Sequence, residues 1–251
     1  MEKKSTKKND SGLMMYYQPI QNVTFGKAIG YEALIRLVDK EFHFISPGVF
    51  IPIAEKNGLD TALSTWILEE ICKTAKKMME KEIPFEYISM NVSVKHFKKK
   101  DYIPQLVSVL EEIGVPAEKL CLEIPEDAFD KTSATIINKM NLLKESGFTL
   151  AIDNYSAAGV SLNKLTSIPA DIVKLDKALT DRMLIEENAI EKVEDIISTA
   201  ESAGMEVVAN AVEDKNQQVK LAELGCEKMQ GFLFGKPVKE REIIYPKTAK
   251  K

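Results

Sequence analysis

The sequence predicts an α/β fold: a modified (β/α)8, TIM-like barrel with an antiparallel strand near the N-terminus. Three observations carry this: eight short apolar runs, helical-period segments between most of them, and a linker between the first two runs too short for a crossover helix. With 251 residues the chain is long enough for one such barrel and buries about three quarters of its unfolded surface.

In chain order the runs are MMYYQPI (14–20), AIGYEALIRL (28–37), YISMNVS (87–93), KLCLEI (119–124), FTLAID (148–153), DIVKLD (171–176), MEVVAN (205–210) and EKMQGFLF (227–234). The linker QNVTFGK cannot hold a helix, so the first two runs are expected to form an antiparallel hairpin. PGVFIPIAEK (47–56) opens on proline, whose fixed φ and missing N–H suit a first helical turn, and it reads as a short helix over one mouth of the barrel. Apolar residues recur at helical spacing over 61–81, 102–113, 133–146, 188–203 and 216–224. Gly114, Gly147, Gly204 and Gly225 follow four of these segments, where a residue without Cβ can take the left-handed cap. An open doubly wound sheet is the structural alternative, but no G-x-G-x-x-G follows the first run.

The barrel domain is expected over residues 13–242, with a disordered basic tail at 1–12 and a C-terminal tail at 243–251. The composition, 45% hydrophobic and 29% charged with net charge −4, offers no global field for a nucleic acid polymer, so an anionic ligand must be held by local groups. Cys72, Cys121 and Cys226 are odd in number and far apart, which points to buried thiols in a reducing compartment. No apolar run reaches the roughly 18 residues of a membrane span, and residues 1–12 lack the apolar core of a signal peptide. A cytoplasmic location is the expectation.

In such a barrel, chemistry sits at the C-terminal ends of the strands. The polar residues near those ends are Glu32, Asn91, Glu123, Asp153, Lys174 with Asp176, Asn210 with Glu213, and Gln230. Solvation alone accounts for any one of them, but not readily for seven strand ends in register. Glu32, Asn91, Glu123 and Asp153 offer only oxygen as ligand atoms, which suits a hard cation, Mg²⁺ or Mn²⁺, better than zinc or copper. Lys174 and Arg36 add positive charge for an anion such as phosphate.

The ordered set YYQPI, YEALIR, ISPGVFIPIAEKNGL, MNVS, LEIPE, AIDN, VKLD, EVVANAVE and QGFLFGKP, over about residues 14–240, resembles the EAL domain family, bacterial phosphodiesterases that open the cyclic dinucleotide c-di-GMP. The resemblance implies that Glu32, Asn91, Glu123 and Asp153 bind the catalytic metal, that Lys174 assists near the attacking water, and that Asp176 helps a second metal. It implies that Gln18, Leu34, Arg36, Glu213 and Gln230 line the dinucleotide pocket, and that Glu126 anchors the loop after the fifth motif. It further implies a homodimer whose interface is linked to the metal site by that loop.

Two departures from the family strike the chemistry. Its D-D-F-G-T-G loop reads Asp153, Asn154, Tyr155, Ser156, Ala157, Ala158 here, so the second aspartate has become an amide that holds a cation far more weakly. Its A-E-G-V-E motif reads Ala209, Asn210, Ala211, Val212, Glu213, so the glutamate used as general base is Asn210, which cannot accept a proton. Ser156 and Ala158 also stand where the family has glycine, so the loop is expected to take another path. The sequence therefore favours a binding module, sensing c-di-GMP or docking on a protein partner, over the alternative of an active phosphodiesterase releasing linear pGpG.

Overall fold

The computed structural model describes residues 12–39, 41, 43–129 and 133–245. The strands are β1 (Gly12–Asn22), β2 (Lys27–Val38), β3 (Phe44–Ile45), β4 (Tyr87–Asn91), β5 (Leu120–Pro125), β6 (Thr149–Tyr155), β7 (Ile172–Leu175), β8 (Glu206–Ala209), β9 (Lys228–Gln230) and β10 (Val238–Lys239). The helices are α1 (Pro47–Lys56), α2 (Asp60–Glu80), α3 (Val94–Phe97), α4 (Tyr102–Ile113), α5 (Ser133–Glu145), α6 (Leu162–Leu165), α7 (Lys177–Arg182), α8 (Glu187–Ser202), α9 (Lys215–Glu223) and α10 (Glu240–Ile244).

Eight strands close a ring in the order β1-β9-β8-β7-β6-β5-β4-β2, sealed by the β1–β2 pairing, with β3 and β10 as short flanking additions. β1 runs antiparallel to both β2 and β9, while β2, β4, β5, β6, β7, β8 and β9 follow one another in parallel. The expected hairpin is therefore present, with Gln18 opposite Glu32 and Ile20 opposite Gly30. Gly114, Gly147, Gly204 and Gly225 all take positive φ, from 73° to 91°, as expected of left-handed closures after helices.

A two-residue side-chain period sorts each strand into an outer and an inner face. Ile88, Leu122, Ile152 and Val173 belong to the large core shared with Leu68, Ile71, Leu106 and Ile196 of the surrounding helices. Ile20, Tyr87, Cys121, Ala151, Ile172 and Val208 form a separate buried cluster that fills the barrel itself. Two residues beyond Cys121, Ala151, Ile172 and Val208, along β5, β6 and β7 and just past β8, stand Glu123, Asp153, Lys174 and Asn210, so an apolar plug supports a polar layer at the mouth. All three cysteines are free and buried.

Three details depart from expectation. The last strand stops at Gln230, and Gly12, read from sequence as tail, opens β1 opposite Val38. The expected C-terminal tail starts too early at 243, because α10 continues to Ile244 and buries both Ile243 and Ile244. Residues 1–11 and 246–251, which carry the expectation of disordered tails, lie outside the described residues.

Candidate functional site

The register of the parallel strands brings the polar residues of the mouth to one level. Asn91 on β4 pairs with Glu123 on β5, Pro125 on β5 with Asp153 on β6, and Lys174 on β7 with Val208 on β8, just before Asn210. From the antiparallel side, Ile20 on β1 lies opposite Gln230 on β9. Gly231 then turns the chain against its neighbour: a Cβ there would fall 2.0 Å from the Val212 carbonyl oxygen, so only glycine allows the Gln230 and Val212 segments to touch.

Lys174, 2% exposed, stands at the centre. Its ammonium donates to Glu32 Oε2 at 3.0 Å and to Glu123 Oε1, and lies 3.8 Å from Asp153 Oδ1. Amides complete the ring. Asn91 Nδ2 donates to Glu32 Oε1 at 3.2 Å and Gln230 Nε2 to Glu32 Oε2 at 2.7 Å. Asn154 Nδ2 donates to Asp153 Oδ2 at 2.7 Å, and Asn210 Nδ2 reaches Asp153 Oδ1 in a long contact of 3.5 Å. Gln18 backs this layer: its Oε1 accepts from Gln230 Nε2 at 3.2 Å, and its Nε2 donates to the Gly235 carbonyl at 3.1 Å.

The electrostatics follow from three acids sharing one cation in a low-dielectric site. Burial, then the Glu32 charge, push the Glu123 carboxyl up to about 8. Burial also raises Asp153. Glu32 is drawn the other way: burial would lift it, but Lys174 and the hydrogen bonds from Lys174, Gln230 and Asn91 hold it below the usual carboxylate range. Burial alone would discharge Lys174, yet the three carboxylates outweigh it and keep the ammonium well above its ordinary value.

The other expected site residues lie around this centre. Arg36 and Leu34 line a cleft of about 400 Å³ with Pro47, Ile51, Pro52 and Asn91, so α1 does cover the mouth. Ser93 Oγ donates to Glu55 Oε1 at 2.9 Å and Lys95 Nζ to the Glu55 carbonyl at 3.2 Å, which tie α1 to the segment after β4. Arg36 Nη1 donates to the Ile35 carbonyl at 2.9 Å. Asp176 caps α7, with Oδ1 accepting from the Ala178 N–H at 2.8 Å. Glu213 sits on the exposed rim, 3.6 Å from Lys177.

Glu126 gathers the loop that follows Asp153. Its Oε2 accepts from Ser156 N at 3.0 Å and Ser156 Oγ at 2.9 Å, and its Oε1 accepts from Gly159 N at 3.1 Å and Val160 N at 2.9 Å. In the sequence Ser156 shows only as a replacement for a family glycine; its hydroxyl supplies one of these four bonds. The loop carries backbone strain: Asn154 and Ala157 take φ of 53° and 56°, and Ala211, next to Asn210, takes 57°.

An oxygen-only donor set suits a hard cation. Yet five of the six carboxylate oxygens of Glu32, Glu123 and Asp153 already face an N–H or ammonium donor. Glu123 Oε2 is buried without a partner. Among the described residues no group of three or more His, Cys, Asp or Glu is arranged to hold a metal ion. In this arrangement the residues do not fit Mg²⁺ or Mn²⁺.

A closed mixed barrel with an acid, amide and lysine cluster at the carboxyl ends of its strands belongs to the class of barrels whose chemistry sits at that mouth. Within that class the chain belongs to the EAL domain family, whose model matches residues 4–237. It is 29% identical over 235 residues to the oxygen sensor protein DosP of Escherichia coli, covering 94% of this chain and 29% of DosP. It is 27% identical over 232 residues to the bifunctional diguanylate cyclase/cyclic di-GMP phosphodiesterase MucR of Pseudomonas aeruginosa, covering 92% and 34%. A solved structure of the PaMucR phosphodiesterase in complex with c-di-GMP has a TM-score of 0.85 at 27% identity, over 92% of this chain and 94% of that one. The chain thus spans about a third or less of the length of these two curated relatives. Among the described residues no helix is long and apolar enough to cross a membrane.

Proposed function

We propose that this chain is a degenerate EAL domain that binds c-di-GMP in the cytoplasm as a sensing or protein-docking regulator, with weak or absent hydrolysis. The observation that carries this reading is Asn210. It stands where the resemblance puts the general base, and its amide nitrogen points to Asp153 Oδ1. An amide cannot take a proton from water, and the loss of a general base typically costs about 10²–10⁴ in rate.

Recognition has separate support. The cleft beside the cluster offers apolar walls from Leu34, Ile51 and Pro52 for a flat base, and Arg36 at its edge for a phosphate. One observation favours the second reading, a metal-dependent phosphodiesterase producing linear pGpG: Glu32, Asn91, Glu123 and Asp153 are all kept together, and Glu123 Oε2 is an open acceptor.

Calorimetric titration of c-di-GMP into the wild-type chain and into Arg36→Ala tests the proposal. We expect saturable binding to the wild type and at least about tenfold weaker binding to the variant. No heat at high micromolar c-di-GMP overturns the sensing function and leaves the protein-docking one, for which a pull-down is the measurement.

A further inference from the structure

We infer that this site excludes divalent metal and is built around an internal cation, the Lys174 ammonium, with Asn154 and Asn210 as the residues that enforce the exclusion. The inference deepens the binding function above and rests on it only for the identity of the nucleotide.

The reasoning starts from what an amide does that a carboxylate cannot. A carboxylate only accepts, so an acid at 154 or 210 would add a negative oxygen next to Asp153 and call for a cation between them. An amide donates. Asn154 Nδ2 is bound to Asp153 Oδ2 at 2.7 Å, and Asn210 Nδ2 faces Asp153 Oδ1 at 3.5 Å. Both oxygens of the proposed metal ligand are thus turned toward N–H groups. Glu32 is treated the same way by Asn91 and Gln230.

An incoming ion would have to break these bonds and also compete with the Lys174 ammonium, which Glu32 and Glu123 both hold and which is buried beside Glu123. The ammonium already neutralises part of the acids' charge and so weakens their pull on a second cation. The same substitutions favour an anionic ligand without metal. Relative to acids at 154 and 210, the amides remove two negative charges from the floor of the mouth and so reduce its repulsion of a phosphodiester.

Two titrations on the full chain test the inference. In the first, Mn²⁺ is added to the wild type and to the Asn154→Asp/Asn210→Glu double variant, and free Mn²⁺ is read by electron paramagnetic resonance, with circular dichroism verifying that both are folded. We expect the wild type to leave the Mn²⁺ signal undiminished at about 100 μM protein and the double variant to bind at least about tenfold tighter. Stoichiometric uptake by the wild type at micromolar Mn²⁺ overturns the inference. If the double variant proves unfolded, the single Asn154→Asp variant takes its place, because residue 154 is exposed.

In the second, c-di-GMP is titrated into the wild type with EDTA and with Mg²⁺. We expect dissociation constants equal within about twofold. Binding that appears only with Mg²⁺ overturns the inference while leaving the binding function intact. Absence of binding under both conditions overturns the sensing function instead, and the Mn²⁺ titration still decides whether the site excludes metal.

Discussion

Lys174 is the residue on which the site's energetics turn. Three acids, the buried Glu123 and Asp153 and the half-buried Glu32, face it, and removing one partner from such an ionic cluster strands the others. Lys174→Met is expected to cost about 3–5 kcal/mol at neutral pH, read from the urea midpoint. The stranded acids take up protons in the folded state, so their folded pKa values rise above the unfolded ones, and stability present below the unfolded value is lost as pH rises. The deficit of the variant should therefore shrink toward acid pH. A variant as stable as the wild type at pH 7 would contradict the assignment of Lys174 as counter-ion. Much of this site is legible residue by residue: Glu32, Glu123, Asp153 and Lys174 follow apolar runs, and Asn154 and Asn210 interrupt motifs. The direction in which two amides point is not, because Asn carries both a donor and an acceptor and only the packed neighbours choose between them.

The loop from Asp153 to Val160 shows what one buried carboxylate can organise. Glu126 accepts four hydrogen bonds from it, two of them from Ser156. Hydrogen bonds to a charged group are worth about 1.5–3 kcal/mol each, enough to hold Asn154 and Ala157 in left-handed conformations. Glu126→Gln should speed hydrogen exchange at Ser156, Gly159 and Val160 by at least about tenfold while leaving the amides of β4 and β5 protected. Unchanged exchange in the loop would show that Glu126 does not anchor it. The long elements are legible because their periods repeat: 102–113 and 47–56 match α4 and α1 end to end. The helices α3, α6, α7 and α10 are only 4 to 6 residues long, and one turn is too short to display a period. The strands β3 and β10, two residues each, are hidden for the same reason.

For the molecule as a whole, the hairpin is the feature that sets the geometry of the mouth. By replacing one crossover it lets β1 run antiparallel between β2 and β9, so Gln18 enters the polar layer between Glu32 and Gln230. A seven-residue linker made that visible in the sequence, and alternation of strand and helix made the barrel visible. What pattern could not give is the balance inside the barrel, where an apolar plug carries a layer of acids, amides and one ammonium that leaves Glu123 Oε2, Asn210 Oδ1 and Gln230 Oε1 as buried, unpartnered acceptors. Recognition of c-di-GMP without turnover is the behaviour expected of that balance. Its most direct test is a single incubation of the purified chain with c-di-GMP and Mg²⁺ or Mn²⁺, with bound and free nucleotide resolved by chromatography. The expected result is saturable binding with the cyclic dinucleotide recovered intact after overnight reaction; steady accumulation of linear pGpG would contradict it.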